Sequence, residues 1–165
     1  MMIDKNSLTF NSPFEAGVRA VALLGSAYPE GYDIQRLVAF DYLLVRTSIL
    51  DGPTDLHPPA PIQPPATEVR RKIVQDALHL MMTRDLVQRD ITEEGFTYRA
   101  GETAAMFLEA LSTPYISALK ERAQWLTAQF SEWDEVTFDQ FMRELLDKWI
   151  VEFQDEELDD ERFRR

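Results

Sequence analysis

The sequence contains no cysteine. That absence removes disulfides, thiolate nucleophiles, zinc–cysteine sites and iron–sulfur clusters together, and it fits a reducing compartment. Histidine is almost as scarce. His57 and His79 are the two present, with no carboxylate at ligand spacing to either, so no metal site is expected. The six glycines are scattered. They form no GxGxxG or GxxxxGK[ST] loop, and Gly25-Ser26 lacks the second glycine of a nucleophile elbow, so neither a phosphate cradle nor a serine-hydrolase turn is supported. No apolar run reaches the ~18 residues needed to span a bilayer. The opening MMIDKNSLTF puts Asp4 where a secretion signal would be basic. The chain reads as soluble and cytoplasmic, with no membrane partner.

Positive charge is also in short supply. Lys and Arg number 17 against 29 Asp and Glu, a net charge of −12. Residues 1–100 carry 10 basic and 13 acidic groups, giving −3, whereas residues 101–165 carry 7 and 16, giving −9. A C-terminal third this acidic repels phosphate backbones, since nucleic-acid affinity comes largely from cations that displace condensed counterions.

What is present is a chain of 165 residues with 45% apolar side chains, enough for one ordinary core. Ser12-Pro13-Phe14-Glu15 is a helix start, with a Ser cap, Pro at the first helical position and Glu completing a capping box. The first helix is expected from Pro13 to about Tyr28. Asp33 can cap a second, IQRLVAFDYLLVRTSIL, which is apolar on nearly every face and so is expected at the centre of the domain. Asp51-Gly52-Pro53 stops it. Residues 53–65 hold six of the nine prolines and are expected as extended, polyproline-like backbone. Thr67 is expected to cap a third helix with Val69, Ile73, Ala77, Leu80 and Met81 inward and Arg70, Arg71 and Lys72 at the head of its exposed side. Residues 86–99 read as a hairpin turning at Gly95. A long helix from about Gly101 to Phe130, bent near Pro114, and a last one from a Thr137-x-x-Gln140 box to about Gln154 complete the order.

Three helices followed by a hairpin is the order of a winged-helix domain. The expected fold is mainly α: a winged-helix-like domain over residues 1–100, a C-terminal helical extension over 101–154 that packs on it or on a partner, and a frayed acidic tail over 155–165.

Chemistry-bearing patterns are few. With 29 acids, carboxylate pairs arise by chance. Asp41 stands out because it sits between Phe40 and Tyr42 in a helix with little polar surface, and a buried carboxylate needs a partner. The reading favoured over a catalytic one is an ion pair to Arg46 or to the Arg70-Arg71 region. Arg70, Arg71 and Lys72, with Arg84, Arg89 and Arg99 in or near the wing, form the one basic cluster, placed where a winged-helix protein would touch DNA. Against that, the run opposes its helix dipole, and Glu68, Asp76, Asp85 and Asp90 interleave with it. Trp125, Trp133, Trp149, Phe130, Phe138, Phe141 and Phe153 crowd the C-terminal region. They either fold back on the first domain or form an interface.

The residues also resemble a known family. FNSPFEAGVRAVALL, LVAFDYLLVRTSILDGPTDLHPP, EVRRKIVQDALHLMMTRDLV and GFTYRAGETAAMFLEAL with YISALKERAQWL resemble, in order over roughly residues 9–130, the type-2 middle component of ABC-three-component systems. The most specific pieces are the DY…GP…LHP block, the following RR and the RAxW of the later helix. The resemblance implies a small non-enzymatic subunit beside an SMC- or Rad50-like ABC ATPase and an effector such as a nuclease, in a complex similar to Lamassu-type anti-phage systems. Matching positions are Pro13, Phe14, Glu15, Asp41, Tyr42, Gly52, Pro53, Leu56, His57, Pro58, Arg70, Arg71, Arg122 and Trp125.

The preferred reading is therefore a non-catalytic adaptor without a cofactor. It contacts partners through Leu56, His57, Pro58, Arg70, Arg71, Arg122, Trp125 and Trp133, with Ser12, Glu15, Asp41, Gly52 and Pro53 structural. The alternative is a winged-helix DNA-binding regulator, dimeric through its C-terminal helices and touching DNA with Arg70, Arg71, Lys72, Arg89 and Arg99. A hydrolase acting through Asp41 is a third reading.

Overall fold

A computed structural model describes residues 12–57 and 66–145. Helix α1 (Pro13–Ala27) starts as its sequence dictates: Ser12 is extended, its Oγ accepts the Glu15 N–H at 3.2 Å, and Pro13 occupies the first turn. Its run from Ala16 to Leu24 is buried throughout, and α1 packs against every later helix up to 129 and against the hairpin. The centre of the domain, expected for the second helix, is thus occupied by the first.

Helix α2 (Ile34–Leu44) is capped by Asp33, whose Oδ1 accepts the Arg36 N–H at 2.8 Å. It ends six residues earlier than the sequence suggested and gives way to a 3-10 turn, Thr47–Leu50, closed by Asp51 in the left-handed region at φ 56°. The cause lies in competing hydrogen bonds. The Val45 carbonyl accepts the N–H groups of Leu56 and His57 at 3.1 and 3.3 Å, and Thr47 Oγ1 donates to the Pro53 carbonyl at 2.6 Å. The start of the proline-rich segment is thereby clasped to the end of α2. Residues 58–65, Pro58 among them, lie outside the described residues.

Helix α3 (Ala66–Met82) begins before Thr67, which is inside the helix rather than its cap. Its inward stripe is Val74, Ala77, Leu78 and Met81, spaced i, i+3, i+4, i+7. Val69, expected inward, is 61% exposed, and Ile73 and Leu80 are half-buried. Arg70, expected outward, turns in toward Asp41. That contact sets the rotation of the first turn and leaves Val69 facing solvent.

Strands β1 (Val87–Thr92) and β2 (Gly95–Ala100) pair antiparallel with Val87 opposite Ala100 and Ile91 opposite Phe96. Gly95 takes the turn at φ 126°, a conformation that favours glycine. Tyr32, between α1 and α2, forms a one-residue antiparallel bridge to Tyr98, with backbone N–H···O bonds of 2.9 and 2.8 Å. The hairpin is thus stitched to the helical body.

The expected long helix after the wing is two helices, α4 (Ala104–Ala110) and α5 (Pro114–Gln129). Pro114 does not bend a continuous helix; it starts a new one, with Thr113 Oγ1 accepting the Ile116 N–H at 3.2 Å. A further helix, α6, is described over residues 135–145. Its cap is Asp134, whose Oδ1 accepts the Thr137 N–H at 2.7 Å, so Thr137 is not the capping residue. The expected continuation to Gln154, Trp149, Phe153 and the acidic tail all lie outside the described residues.

The C-terminal aromatics fold back. Phe130 and Phe138 are buried against Phe40, with ring centroids 5.8 and 5.4 Å from it, and Trp133 and Phe141 flank Phe130. The Arg36 guanidinium lies 3.8 Å from the Phe138 ring centre, a cation–π stacking on a half-buried cation whose Nη1 has no hydrogen-bond partner among the described residues. The architecture is mainly α with one antiparallel hairpin, consistent with the winged-helix-like expectation. Among the described residues no helix is long and apolar enough to cross a membrane.

Gly52 lets the chain pass under the Trp125 indole: a Cβ there would lie 2.6 Å from Cζ2 and 2.8 Å from Cζ3. Gly52→Ala should destabilise the protein by about 1–3 kcal/mol through overpacking. Urea denaturation should show a lower midpoint at unchanged slope, and Trp125→Leu added to Gly52→Ala should recover part of the loss.

Candidate functional site

The most concentrated chemistry in the described residues surrounds Asp41. Its Oδ1 accepts from Arg19 Nε at 2.7 Å and its Oδ2 from Arg70 Nη1 at 2.9 Å. Arg19 and Asp41 are almost wholly buried, with side chains 4% and 5% exposed, and Arg70 closes the pair from the surface at 26%. Burial opposes the charged form of Asp41, but the two guanidiniums outweigh it and hold the carboxyl below its ordinary range. Arg70 is a partner the sequence predicts; Arg19 is one it does not. Arg46, the other expected partner, lies over the Tyr42 ring at 5.0 Å, and its Nε is buried without a hydrogen-bond partner among the described residues. Both oxygens of Asp41 being engaged by permanent cations, the carboxylate has the geometry of an ion-pair hub linking α1, α2 and α3.

His57 lies beside this hub. Its Nε2 shares a hydrogen bond of 3.0 Å with the Tyr115 hydroxyl, and the two rings stack with centroids 6.3 Å apart. Burial, followed by the positive fields of Arg19 and Arg46, pushes its pKa down to about 4. His57 is therefore neutral at pH 7 and is held by packing.

Several residues expected to meet a partner are brought together here, each half-buried and in contact within the chain. Leu56 packs against the core. Arg122 donates from Nε to the Thr54 carbonyl at 2.8 Å and from Nη1 to the Ala118 carbonyl at 3.2 Å. Trp125 covers Gly52. Together they fasten residues 52–57 onto α5. Trp133 is elsewhere, in the aromatic cluster at the start of α6, where its carbonyl accepts from Arg36 at 3.3 Å. Pro58 lies outside the described residues.

The cations of the DNA reading are distributed differently. Lys72 lies 3.6 Å from Asp76, Arg99 pairs with Asp90 at 2.8 Å, and Arg89 stacks over Phe96 at 4.5 Å. Arg71 is exposed and reaches an open groove of about 450 Å³ between α2, α3 and the hairpin. Its other walls come from Asp33, Ile34, Gln35, Gln75, Glu94, Phe96, Tyr98 and Glu135. Three carboxylates thus face one guanidinium. Nothing in the sequence announced this groove, because Asp33, Glu94 and Glu135 are far apart in the chain and meet only after folding. Among the described residues no group of three or more His, Cys, Asp or Glu could hold a metal ion.

Residues 9–152 match the family model for ABC-three component (ABC-3C) system Middle Component 2. No curated protein and no solved structure matches the chain.

Removing the hub's carboxylate leaves two guanidiniums facing one another without compensation. Asp41→Ala should cost about 3–5 kcal/mol, and Arg70→Met clearly less, because Asp41 keeps Arg19; chemical denaturation of the two variants checks the order. The pH dependence has a definite sign. With a folded pKa near 4 against about 6.5 unfolded, His57 binds its proton more readily in the unfolded chain. Stability therefore falls as pH drops from about 6.5 to 4, by about 1–2 kcal/mol after allowance for solvent screening. His57→Gln should flatten that part of the stability–pH curve.

Proposed function

Because the chain belongs to the Middle Component 2 family of ABC-three component systems, we propose that it acts there as a non-catalytic adaptor, joining an SMC- or Rad50-like ABC ATPase to an effector such as a nuclease. The setting is prokaryotic anti-phage defence of the Lamassu type. In this reading the protein itself performs no bond-making step: it holds two larger components in register and passes the nucleotide state of one to the other.

The observation that carries the reading is the disposition of charge. The chain has a net charge of −12, and of the cations in and beside its α3–wing region Arg70, Lys72, Arg89 and Arg99 contact Asp41, Asp76, Phe96 and Asp90 within the chain, while Arg71 is exposed. Few are left to displace counterions from a phosphate backbone, whereas an acidic surface with exposed apolar side chains suits protein contacts. DNA is then reached indirectly, through the complex.

Affinity purification of the tagged chain, co-expressed with its native neighbouring genes, should yield a large coiled-coil ATPase and a third component in moderate salt. Elution alone as a dimer, with DNA binding that falls steeply with salt and is lost in Arg71→Glu while the fold is retained, would replace the adaptor with the DNA-binding regulator.

A further inference from the structure

We propose that the groove between α3 and the hairpin docks a basic segment of a partner protein, which sets an apolar side chain on an Ile91–Phe96 ledge and its Lys or Arg side chains against Asp33, Glu94 and Glu135. This rests on the adaptor reading and gives that reading a surface and a ligand chemistry.

The ledge follows from strand register. Directly opposed residues project to the same side of a sheet, so Val87 and Ala100, Arg89 and Tyr98, and Ile91 and Phe96 share one face. The inner end of that face is core: Val87 and Ala100 are each 4% exposed and Tyr98 8%. The same face runs on past the helical body, where Ile91 is 81% and Phe96 48% exposed and the Arg89 guanidinium borders the ledge, 4.5 Å from the Phe96 ring centre. Tyr98 and Phe96 also line the groove, so the ledge continues its wall. Adjacent large apolar side chains on a surface mark a contact face when they adjoin a concavity.

Charge selects the occupant. Asp33, Glu94 and Glu135 against Arg71 leave the groove lining with a net charge of −2 at neutral pH, and the balance stays negative, at −1, when the Arg89 guanidinium over the Phe96 ring is counted. The carboxyls are crowded: a hydrogen bond to Asp33 that needs a proton on one of the pair, together with the Asp33 charge, raises the Glu135 pKa. An incoming cation relieves this repulsion. A phosphate backbone or an anionic lipid surface would aggravate it, and so would a second copy of a chain with net charge −12. A purely apolar peptide would desolvate the carboxylates without a partner. A basic segment with an apolar anchor satisfies both walls.

The test uses the full chain co-expressed with the other components of its own system, comparing wild type, Phe96→Ser, Glu94→Lys with Glu135→Lys, and Met106→Ser as a control at an exposed apolar site away from the groove. A photo-crosslinker at position 91 identifies the neighbouring peptide by mass spectrometry. The expected result is that both groove variants bind about tenfold or more weakly, Met106→Ser binds as wild type, and the crosslink falls in a lysine- or arginine-rich segment of a component. If wild type assembles and the groove variants assemble equally well, or the crosslink falls on an acidic or neutral segment, on DNA or on a second copy, the groove assignment is overturned while the adaptor survives. If wild type captures no component, the adaptor reading fails and the groove assignment with it. Thermal melts verify folding; should the lysine variant melt early, Glu94→Gln with Glu135→Gln removes the charges at constant shape and must still weaken binding.

Discussion

A single buried carboxylate fixes the arrangement of the first three helices. Asp41 cannot remain charged in the interior without compensation, and its two oxygens take one guanidinium from α1 and one from α3. Much of the neighbouring structure follows from that requirement. Arg70 must turn inward, which rotates the first turn of α3 and puts Val69 outside. Arg46 is left to the face of Tyr42. The clasp of Leu56 and His57 on the Val45 carbonyl then closes over the same region, with His57 held neutral first by burial and then by the nearby cations.

The distribution of cations separates this chain from what its element order alone suggests. Helices followed by a hairpin wing invite a DNA-binding reading, but fold does not carry function. Here many of the cations serve contacts within the chain. Arg19 and Arg70 serve Asp41, Arg36 serves an aromatic cluster, and Arg122 and Lys120 serve open carbonyls. The acids stay largely at the surface, and three of them gather where α3 meets the wing. A protein built this way presents to its surroundings the negative charge that its positive groups do not offset.

How much was legible depended on whether the deciding interaction was local. The Ser12 cap, the Asp33 cap, the glycine turn of the hairpin and the family resemblance are written in short stretches, and all reappear. The burial of Asp41 was legible because a charge in an apolar helix has to be explained; Arg19 stands in equally apolar surroundings, Gly17-Val18-Arg19-Ala20-Val21, and the same argument would have found it. The early end of α2 and the rotation of α3 were not legible, since each is decided by a bond to a residue distant in sequence. Trp125 and Arg122 match the family pattern, but pattern alone does not distinguish a side chain that meets a partner from one that fastens residues 52–57 to α5. The acidic groove exists only in three dimensions.

The break between α4 and α5 is a welded joint. Lys120 Nζ donates to the Leu108 carbonyl at 2.9 Å and to the Leu111 carbonyl at 3.0 Å, so a cation on the second helix neutralises the negative end of the first. Thr113 and Pro114 start the second helix at a fixed angle to it. Two short helices joined in this manner are braced by more than the chain between them, and both arms of the elbow rest on the central helix α1.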